Sequence, residues 1–241
     1  RKVMRNYLPN DEESKHFACL LQWDNIYYQE PTEEYISPKT TVRVGLVQWQ
    51  MRSYKTLDDL FEQVEFFVDS VSGYQSDFVL FPEYFNAPLM ARFNDASESQ
   101  AIRGLARYTD EIRERFINLA IRYNINIITG SMPLIKEDGL LYNVGFLCRR
   151  DGTYEMYEKL HVTPDEMKCW GLSGGKAIRT FETDCAKIGV LICYDVEFPE
   201  LSRIMASEGM QILFVPFLTD TQNAYSRVRA VSYTHLRAHE T

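Results

Sequence analysis

The strongest constraint on the fold of this chain is a series of short, wholly apolar runs bounded by polar or turn-forming residues. Phe78-Val79-Leu80-Phe81 and Ile212-Leu213-Phe214-Val215 are two of them. Apolar runs of this length are typical of β-strands that are covered on both faces. The chain is therefore expected to place other elements of structure on both sides of its sheets.

Amphipathic segments between these runs predict helices. The first helix is expected to begin after Thr56, a good N-cap residue, and to end with Gly73 as its C′ residue. Apolar residues recur in this segment with the i, i+3, i+4, i+7 spacing of a helix that faces a core. Two further helices are predicted over residues 110–123 and 199–208.

Further strands complete the predicted order of elements. They lie over residues 42–46, 125–128, 141–148, 153–158 and 187–193. The third and fourth of these strands are expected to form a hairpin around Asp151-Gly152. The order of strand, helix, strand, helix, strand, hairpin, strand, helix, strand predicts an α/β protein with mixed sheets.

Composition narrows the class of protein. The chain has 241 residues, of which 45% are hydrophobic and 25% charged, and these are ordinary values for a globular protein with one sizeable core. The formal net charge of −8 argues against a general nucleic-acid binder and against a protein that binds anionic membranes. No apolar stretch reaches 18 residues, so no transmembrane helix is expected. Five cysteines without a CxxC pair argue against a disulfide framework or a zinc site and favour the reducing cytoplasm.

Three reactive side chains follow predicted strands directly. Glu83 comes after Phe78-Val79-Leu80-Phe81-Pro82, Lys159 after the second hairpin strand, and Cys193 after Ile188-Gly189-Val190-Leu191-Ile192. Ligands of open α/β sheets bind at the carboxyl ends of the strands. The three side chains are therefore expected to converge at one edge.

The chemistry of this trio is coherent. A carboxylate within hydrogen-bond reach of a thiol takes its proton as general base, and the thiolate is a strong nucleophile. An ammonium group stabilises an oxyanion, and the N–H of Tyr194 is a candidate second donor because it lies in a strand-to-helix turn. The alternative interpretation of each residue alone stays open: Glu83 as a turn cap, Lys159 as a solvated side chain and Cys193 as a small buried hydrophobe.

The sequence motifs around the trio resemble the three signatures of the nitrilase superfamily, the carbon–nitrogen hydrolases. These motifs are Phe81-Pro82-Glu83, Glu158-Lys159-Leu160-His161 and Cys193-Tyr194-Asp195-Val196-Glu197-Phe198-Pro199-Glu200. The resemblance implies a four-layer α-β-β-α sandwich that forms homodimers and hydrolyses a non-peptide C–N bond without metal or organic cofactor. It further implies a second glutamate after the lysine, for which Glu166 is the candidate and Asp165 the adjacent competitor.

Other residues bear on the branch of the family and on the pocket. Many members carry a basic residue where this chain has Glu197. Three further segments look like a bacterial branch in which a GNAT-type acetyltransferase domain precedes the hydrolase. They are Gln48-Trp49-Gln50-Met51-Arg52, Tyr123-Asn124-Ile125-Asn126-Ile127-Ile128 and Val215-Pro216-Phe217.

Two further features lie within or after the motif Glu158-Lys159-Leu160-His161. His161 is interpreted as a hydrogen-bonded structural histidine in preference to a pocket residue. A loop with Trp170, Gly174 and Gly175 is expected near the mouth of the site.

The ends of the chain carry separate expectations. Residues 1–40 are polar and aperiodic, do not begin with Met, and are interpreted as a linker or the tail of an upstream acetyltransferase-like domain. The hydrolase domain is assigned to residues 41–229 and is expected to be truncated at its C-terminus. Residues 230–241, including His235 and His239, resemble translated sequencing-adapter read-through and are excluded from function, with a metal-binding HxxxH as the less favoured interpretation.

The function predicted from this pattern is hydrolysis of an amide through a cysteine thioester, with a nitrile or N-carbamoyl compound as the other substrate classes. Two alternatives stay open. One is a non-catalytic module that binds a small molecule or a protein on the same scaffold. The other is transfer of the acyl group to an amine instead of to water, because the acyl-enzyme is common to both reactions.

Overall fold

The computed structural model describes residues 41–93, 95–219 and 226–230. The predictions for residues 1–40 and for the tail from residue 231 lie outside the described residues. Short 3₁₀ or π turns cover Ala87–Phe93, Ala106–Tyr108, Glu166–Trp170 and Cys193–Glu197. The main elements, in chain order, are β1 Val44–Leu46, α1 Leu57–Gly73, β2 Phe78–Leu80, α2 Glu98–Leu105, α3 Thr109–Arg122, β3 Asn126–Ile128, β4 Met132–Ile135, β5 Leu141–Cys148, β6 Tyr154–Glu158, β7 Thr180–Glu182, β8 Lys187–Val190, α4 Pro199–Ser207 and β9 Ile212–Phe214.

The strands of the described residues form two sheets. The first has the order β1-β2-β3-β5-β4, and β6 pairs with β5. Within it β1, β2 and β3 are parallel, whereas β4, β5 and β6 are antiparallel neighbours. The second sheet has the order β7-β8-β9, with β7 antiparallel and β9 parallel to β8. The prediction of mixed sheets is therefore correct.

Four layers result from the packing of helices and sheets. The inner faces of the two sheets share an apolar core in which the rings of Phe78 and Phe214 lie 5.2 Å apart. Helices α1 and α3 cover the outer face of the first sheet, where Phe116 contacts both Phe61 and Phe81. Helix α4 covers the second sheet through Met205. The expected α-β-β-α sandwich is confirmed.

Local signals placed most of these elements correctly. Thr56 caps α1 in a reciprocal capping box with Asp59. Gly152 adopts a φ of 87° in the turn between β5 and β6, where the hairpin was expected. The prediction of Gly73 as a C′ residue was wrong, because α1 continues through Gly73 and the left-handed residue is Gln75, at φ 55°.

Three short elements were not predicted, and one predicted strand is shorter than expected. Helix α2 is eight residues long and includes Gly104, strand β7 has three residues, and β4 contains Pro133, which an edge strand tolerates. Strand β8 ends at Val190 because a 3₁₀ turn begins at Cys193. No helix in the described part of the chain combines the length and the apolar character that a membrane span requires.

Candidate active site

The four predicted side chains meet at the carboxyl ends of the strands. Glu83 follows β2, Lys159 follows β6 directly, Cys193 follows β8, and Glu166 begins the turn Glu166–Trp170. The Lys159 ammonium lies 2.8 Å from Glu83 Oε1 and 2.8 Å from Glu166 Oε2. The expected convergence at one edge is therefore observed in the geometry.

Lys159 is buried between the two carboxylates. The exposed fractions are 1% for Lys159, 2% for Glu83 and 5% for Glu166, whereas the competing Asp165 is exposed. Burial by itself lowers the pKa of Lys159, but the charges of Glu83 and Glu166 outweigh it and hold that pKa above its ordinary value of 10.5. Lys159 is therefore held as a cation between the two carboxylates, and burial favours Glu166 over Asp165 as the candidate second glutamate.

Cys193 occupies a strained backbone position at the start of the turn Cys193–Glu197. Its φ of 47° lies in the left-handed region, which is costly for a residue with a side chain, and its N–H donates to Pro216 O at 2.9 Å. The Cys193 Sγ lies 4.0 Å from Leu218 O. The second oxygen of Glu83 accepts the Leu218 N–H at 3.0 Å. Leu218 therefore links the nucleophile to its candidate base, because its carbonyl faces Sγ and its N–H holds Glu83.

The electrostatics of this pair keep the proton on the Cys193 thiol until the attack. Burial raises the pKa of the Cys193 thiol, the negative charge of Glu83 raises it further, and Lys159 opposes both. Burial also raises the pKa of Glu83 above 4.5, although Lys159 lowers it. The thiol is therefore neutral at pH 7, and the carboxylate is a stronger base than a free glutamate.

Two residues that sequence reasoning did not identify hold the carboxylates in place. The Tyr84 hydroxyl donates to Glu166 Oε1 at 2.9 Å, and burial raises the pKa of Tyr84 well above 10.0, so this hydroxyl stays a donor. Asn143 Nδ2 donates to Glu83 Oε1 at 3.0 Å and lies 3.5 Å from Glu166 Oε1. The one feature that could have identified Asn143 is that it is a polar residue in strand β5, which is wholly buried.

The expected second oxyanion donor is also available. The first backbone hydrogen bond of the turn after the nucleophile runs from Asp195 N–H to Ile192 O at 3.0 Å. The N–H of Tyr194 precedes this bond and finds no acceptor among the described residues. An unpaired N–H next to the nucleophile is the arrangement that an oxyanion hole requires.

His161 has the structural surroundings that were predicted. Its Nδ1 lies 3.0 Å from Asp195 Oδ1, and its ring stacks on Phe198 with 3.7 Å between ring centroids. The Asp195 carboxylate is 1% exposed, and burial raises its pKa above 3.8 while the N–H groups of Leu160 and His161 oppose that shift.

The loop after Glu166 packs against the lysine segment. The Trp170 ring meets the Tyr84 ring edge-on at 5.4 Å, and Gly175 N–H donates to Lys159 O at 2.8 Å. A Cβ on Gly174 would lie 2.4 Å from Leu160 O, so only glycine permits this close approach. The predicted position of this loop beside the site is correct.

The remaining candidate residues lie away from the reacting groups. Cys148 and Cys185 are buried, and burial raises the pKa of Cys185 to about 11. Glu197 forms an ion pair with Arg227 at 3.0 Å. Within residues 41–93, 95–219 and 226–230, no three His, Cys, Asp or Glu side chains are grouped so that they could hold a metal ion. Glu83 and Glu166 bind an ammonium group instead.

Comparisons with known proteins identify the family of this chain. The family model "Carbon-nitrogen hydrolase" matches residues 43–239. The chain is 43% identical over 232 residues to "Probable hydrolase YhcX" of Bacillus subtilis, and the aligned region covers 96% of this chain and 45% of YhcX. It is 32% identical over 188 residues to "Omega-amidase NIT2" of Homo sapiens, and the aligned region covers 73% of this chain and 63% of that protein.

A solved structure supports the fold. The carbon–nitrogen hydrolase from Helicobacter pylori G27 superimposes with a TM-score of 0.68 at 22% identity, over 82% of this chain and 68% of that one. The chain spans 45% and 63% of the length of the two relatives named above. The match of the family model over most of the chain shows that this chain belongs to the carbon–nitrogen hydrolase family.

Proposed function

We propose that this protein hydrolyses the amide bond of a small molecule through a thioester on Cys193. The observation that carries the proposal is the buried Glu83 carboxylate, which the Lys159 ammonium holds at 2.8 Å and which Leu218 links to the Cys193 thiol. This arrangement joins a nucleophile, a base and a cation in a site of low solvent access.

The first step forms the acyl-enzyme. Glu83 takes the proton of the thiol, and Sγ attacks the carbonyl carbon while the carbonyl π electrons move to oxygen. The Lys159 ammonium and the N–H of Tyr194 stabilise that oxyanion. The C–N bond then breaks, and the proton held by Glu83 goes to the leaving ammonia or amine.

The second step releases the acid. Water attacks the thioester carbonyl, Glu83 accepts a proton from the water, and the C–S bond breaks with return of a proton to Sγ. The net reaction is amide plus water to carboxylic acid plus ammonia or amine. Glu166 has the role of positioning the substrate or the water, which is supported by the donors that fix it: Lys159, Tyr84 and the Thr163 N–H at 2.8 Å.

Amides are the proposed substrate class, ahead of nitriles and N-carbamoyl compounds. Support comes from the name of the relative NIT2, an omega-amidase. Assembly into homodimers, a cytoplasmic location and an N-terminal acetyltransferase-type domain stay predictions from the sequence.

The test is turnover of a panel of amides, nitriles and N-carbamoyl compounds by the full-length protein, read as release of ammonia or amine. Cys193→Ala is expected to lower kcat by several orders of magnitude, because no other group forms the acyl-enzyme. The matched control is Cys185→Ala, which removes a buried cysteine two residues before β8 begins, at the opposite end of the strand from Cys193.

Hydroxylamine separates the open alternatives. Capture of the acyl group as a hydroxamate, at the expense of acid, identifies the thioester, and efficient transfer to an amine substrate in water identifies an acyltransferase. Binding of panel compounds without release or adduct identifies a non-catalytic module and overturns the proposal.

A further inference from the structure

We infer that Asp195 is a positioning residue that holds Lys159 in register with Cys193; this inference rests on the proposed function. Asp195 lies two residues after the nucleophile, and its carboxylate is almost completely buried. The three hydrogen bonds that it accepts all come from the two residues that follow Lys159. We call these bonds the Asp195 clamp.

The clamp uses both oxygens of the carboxylate. Leu160 N–H donates to Oδ2 at 3.0 Å, and His161 N–H donates to Oδ1 at 2.7 Å. The His161 ring adds a third contact, from Nδ1 to Oδ1 at 3.0 Å. Charge-assisted bonds to a buried carboxylate are short and directional, so they restrict the backbone next to Lys159 more tightly than apolar packing does.

The two halves of the site belong to different sheets, which is why a directional link matters. Lys159 follows β6 of the first sheet, whereas Cys193 follows β8 of the second. These sheets meet through an apolar core that includes Tyr157 and Ile188. Apolar contact is non-directional and tolerates sliding, whereas the clamp ties the turn of the nucleophile to the segment of the cation.

The His161 ring is itself fixed on the side of the nucleophile. It stacks almost parallel to Phe198, at an interplanar angle of 13°, and Phe198 is the N-cap residue of α4. Lys159 is fixed by its own backbone as well, since its N–H donates to Asn143 O at 2.9 Å. The clamp therefore connects fixed groups from Cys193, through Asp195, to the Lys159 ammonium beside Glu83.

The test compares Asp195→Asn with wild type in the full-length protein. The asparagine has the same shape, but its amide presents N–H groups to a site where all three partners are donors. The lysine segment is expected to shift, and because a misplacement of about 1 Å costs about 100-fold in rate, kcat per titrated active site should fall by that order with little change in KM. A loss of folded protein alone would not change kcat per active site.

A second readout does not depend on turnover. Lys159 lowers the pKa of Cys193, so its displacement is expected to slow the alkylation of Cys193 by iodoacetamide at fixed pH, followed by peptide mass spectrometry. The matched control is Asp77→Asn. Asp77 is also a buried carboxylate, and it accepts the Arg43 N–H at 3.0 Å, but it precedes β2 at the end opposite to Glu83. This control should lose stability and keep both rates.

His161→Phe covers the case in which Asp195→Asn does not fold. The phenyl ring keeps the stack on Phe198 and both backbone bonds but removes the contact through Nδ1, so a several-fold loss in both rates is expected. Wild-type rates in every folded variant overturn the clamp. If the wild type turns over no compound of the panel, the proposed function fails, and the alkylation rates still decide the clamp.

Discussion

Replacement of Glu83 by glutamine is the sharpest test of the chemistry, because it removes the base and retains the shape. Glu83 accepts hydrogen bonds from Lys159 at 2.8 Å, Asn143 at 3.0 Å and Leu218 at 3.0 Å. A glutamine oxygen can satisfy one side of this network, but its amide then faces a donor. The lost function is the transfer of the Cys193 proton.

The magnitude follows from the role of the base. A positioned general base contributes about 10²–10⁴-fold, which corresponds to about 2.7–5.4 kcal/mol of activation free energy. The pKa of the thiol changes in the opposite sense, because Glu83 raises it and its removal lowers it. The two effects are separable, since acylation of an amide needs proton transfer to the leaving group and alkylation by iodoacetamide does not.

Intact-mass spectrometry under single-turnover conditions provides the assay. Glu83→Gln is expected to accumulate no acyl adduct on Cys193 but to stay reactive towards iodoacetamide. Glu166→Gln is the matched control, because it removes a neighbouring buried carboxylate that contacts the same Lys159 and is assigned to positioning. This control should still form an adduct with a reactive substrate. Normal accumulation of adduct in Glu83→Gln would overturn the assignment of the base.

Three further predictions follow from the same contacts. The acid limb of kcat/KM should lie above pH 4.5, because burial raises the pKa of Glu83 and activity is lost as the pH falls through that raised value; a limb at or below pH 4.5 contradicts this. Tyr84→Phe removes a buried donor to Glu166 and should lower the free energy of unfolding by about 1–3 kcal/mol in urea titrations. Phe116→Ala should cost about 3–5 kcal/mol in the same assay, whereas Phe66→Ala, at a residue 60% exposed, should change it by at most about 0.5 kcal/mol.

The α/β class and the mixed sheets were predictable from the sequence because they depend on local and periodic signals, whereas the four-layer arrangement was implied by the family resemblance. Buried runs such as that of β2 are apolar on both faces, the capping box of Thr56 defines where α1 begins, and the glycine turn at Gly152 defines the hairpin. Elements with weak signals were missed for the same reason. Strand β4 contains a proline and α2 contains a glycine, so local propensity argues against both, and their contacts with the rest of the chain stabilise them instead.

The candidate site divides in the same way. Glu83, Lys159 and Cys193 were identifiable because each follows a recognisable strand, and Glu166 because the family resemblance implies a second glutamate after the lysine. The preference for Glu166 over Asp165 came from the resemblance, and the structure adds the difference in burial between them.

What only the tertiary structure decided is which groups hold this site together. Tyr84 reaches Glu166 across 82 residues of sequence, Asn143 reaches Glu83 across 60, and Asp195 reaches His161 across 34. No local pattern encodes such pairs. They arise because a carboxylate removed from water must find donors, and the packing of two sheets determines which donors are within reach.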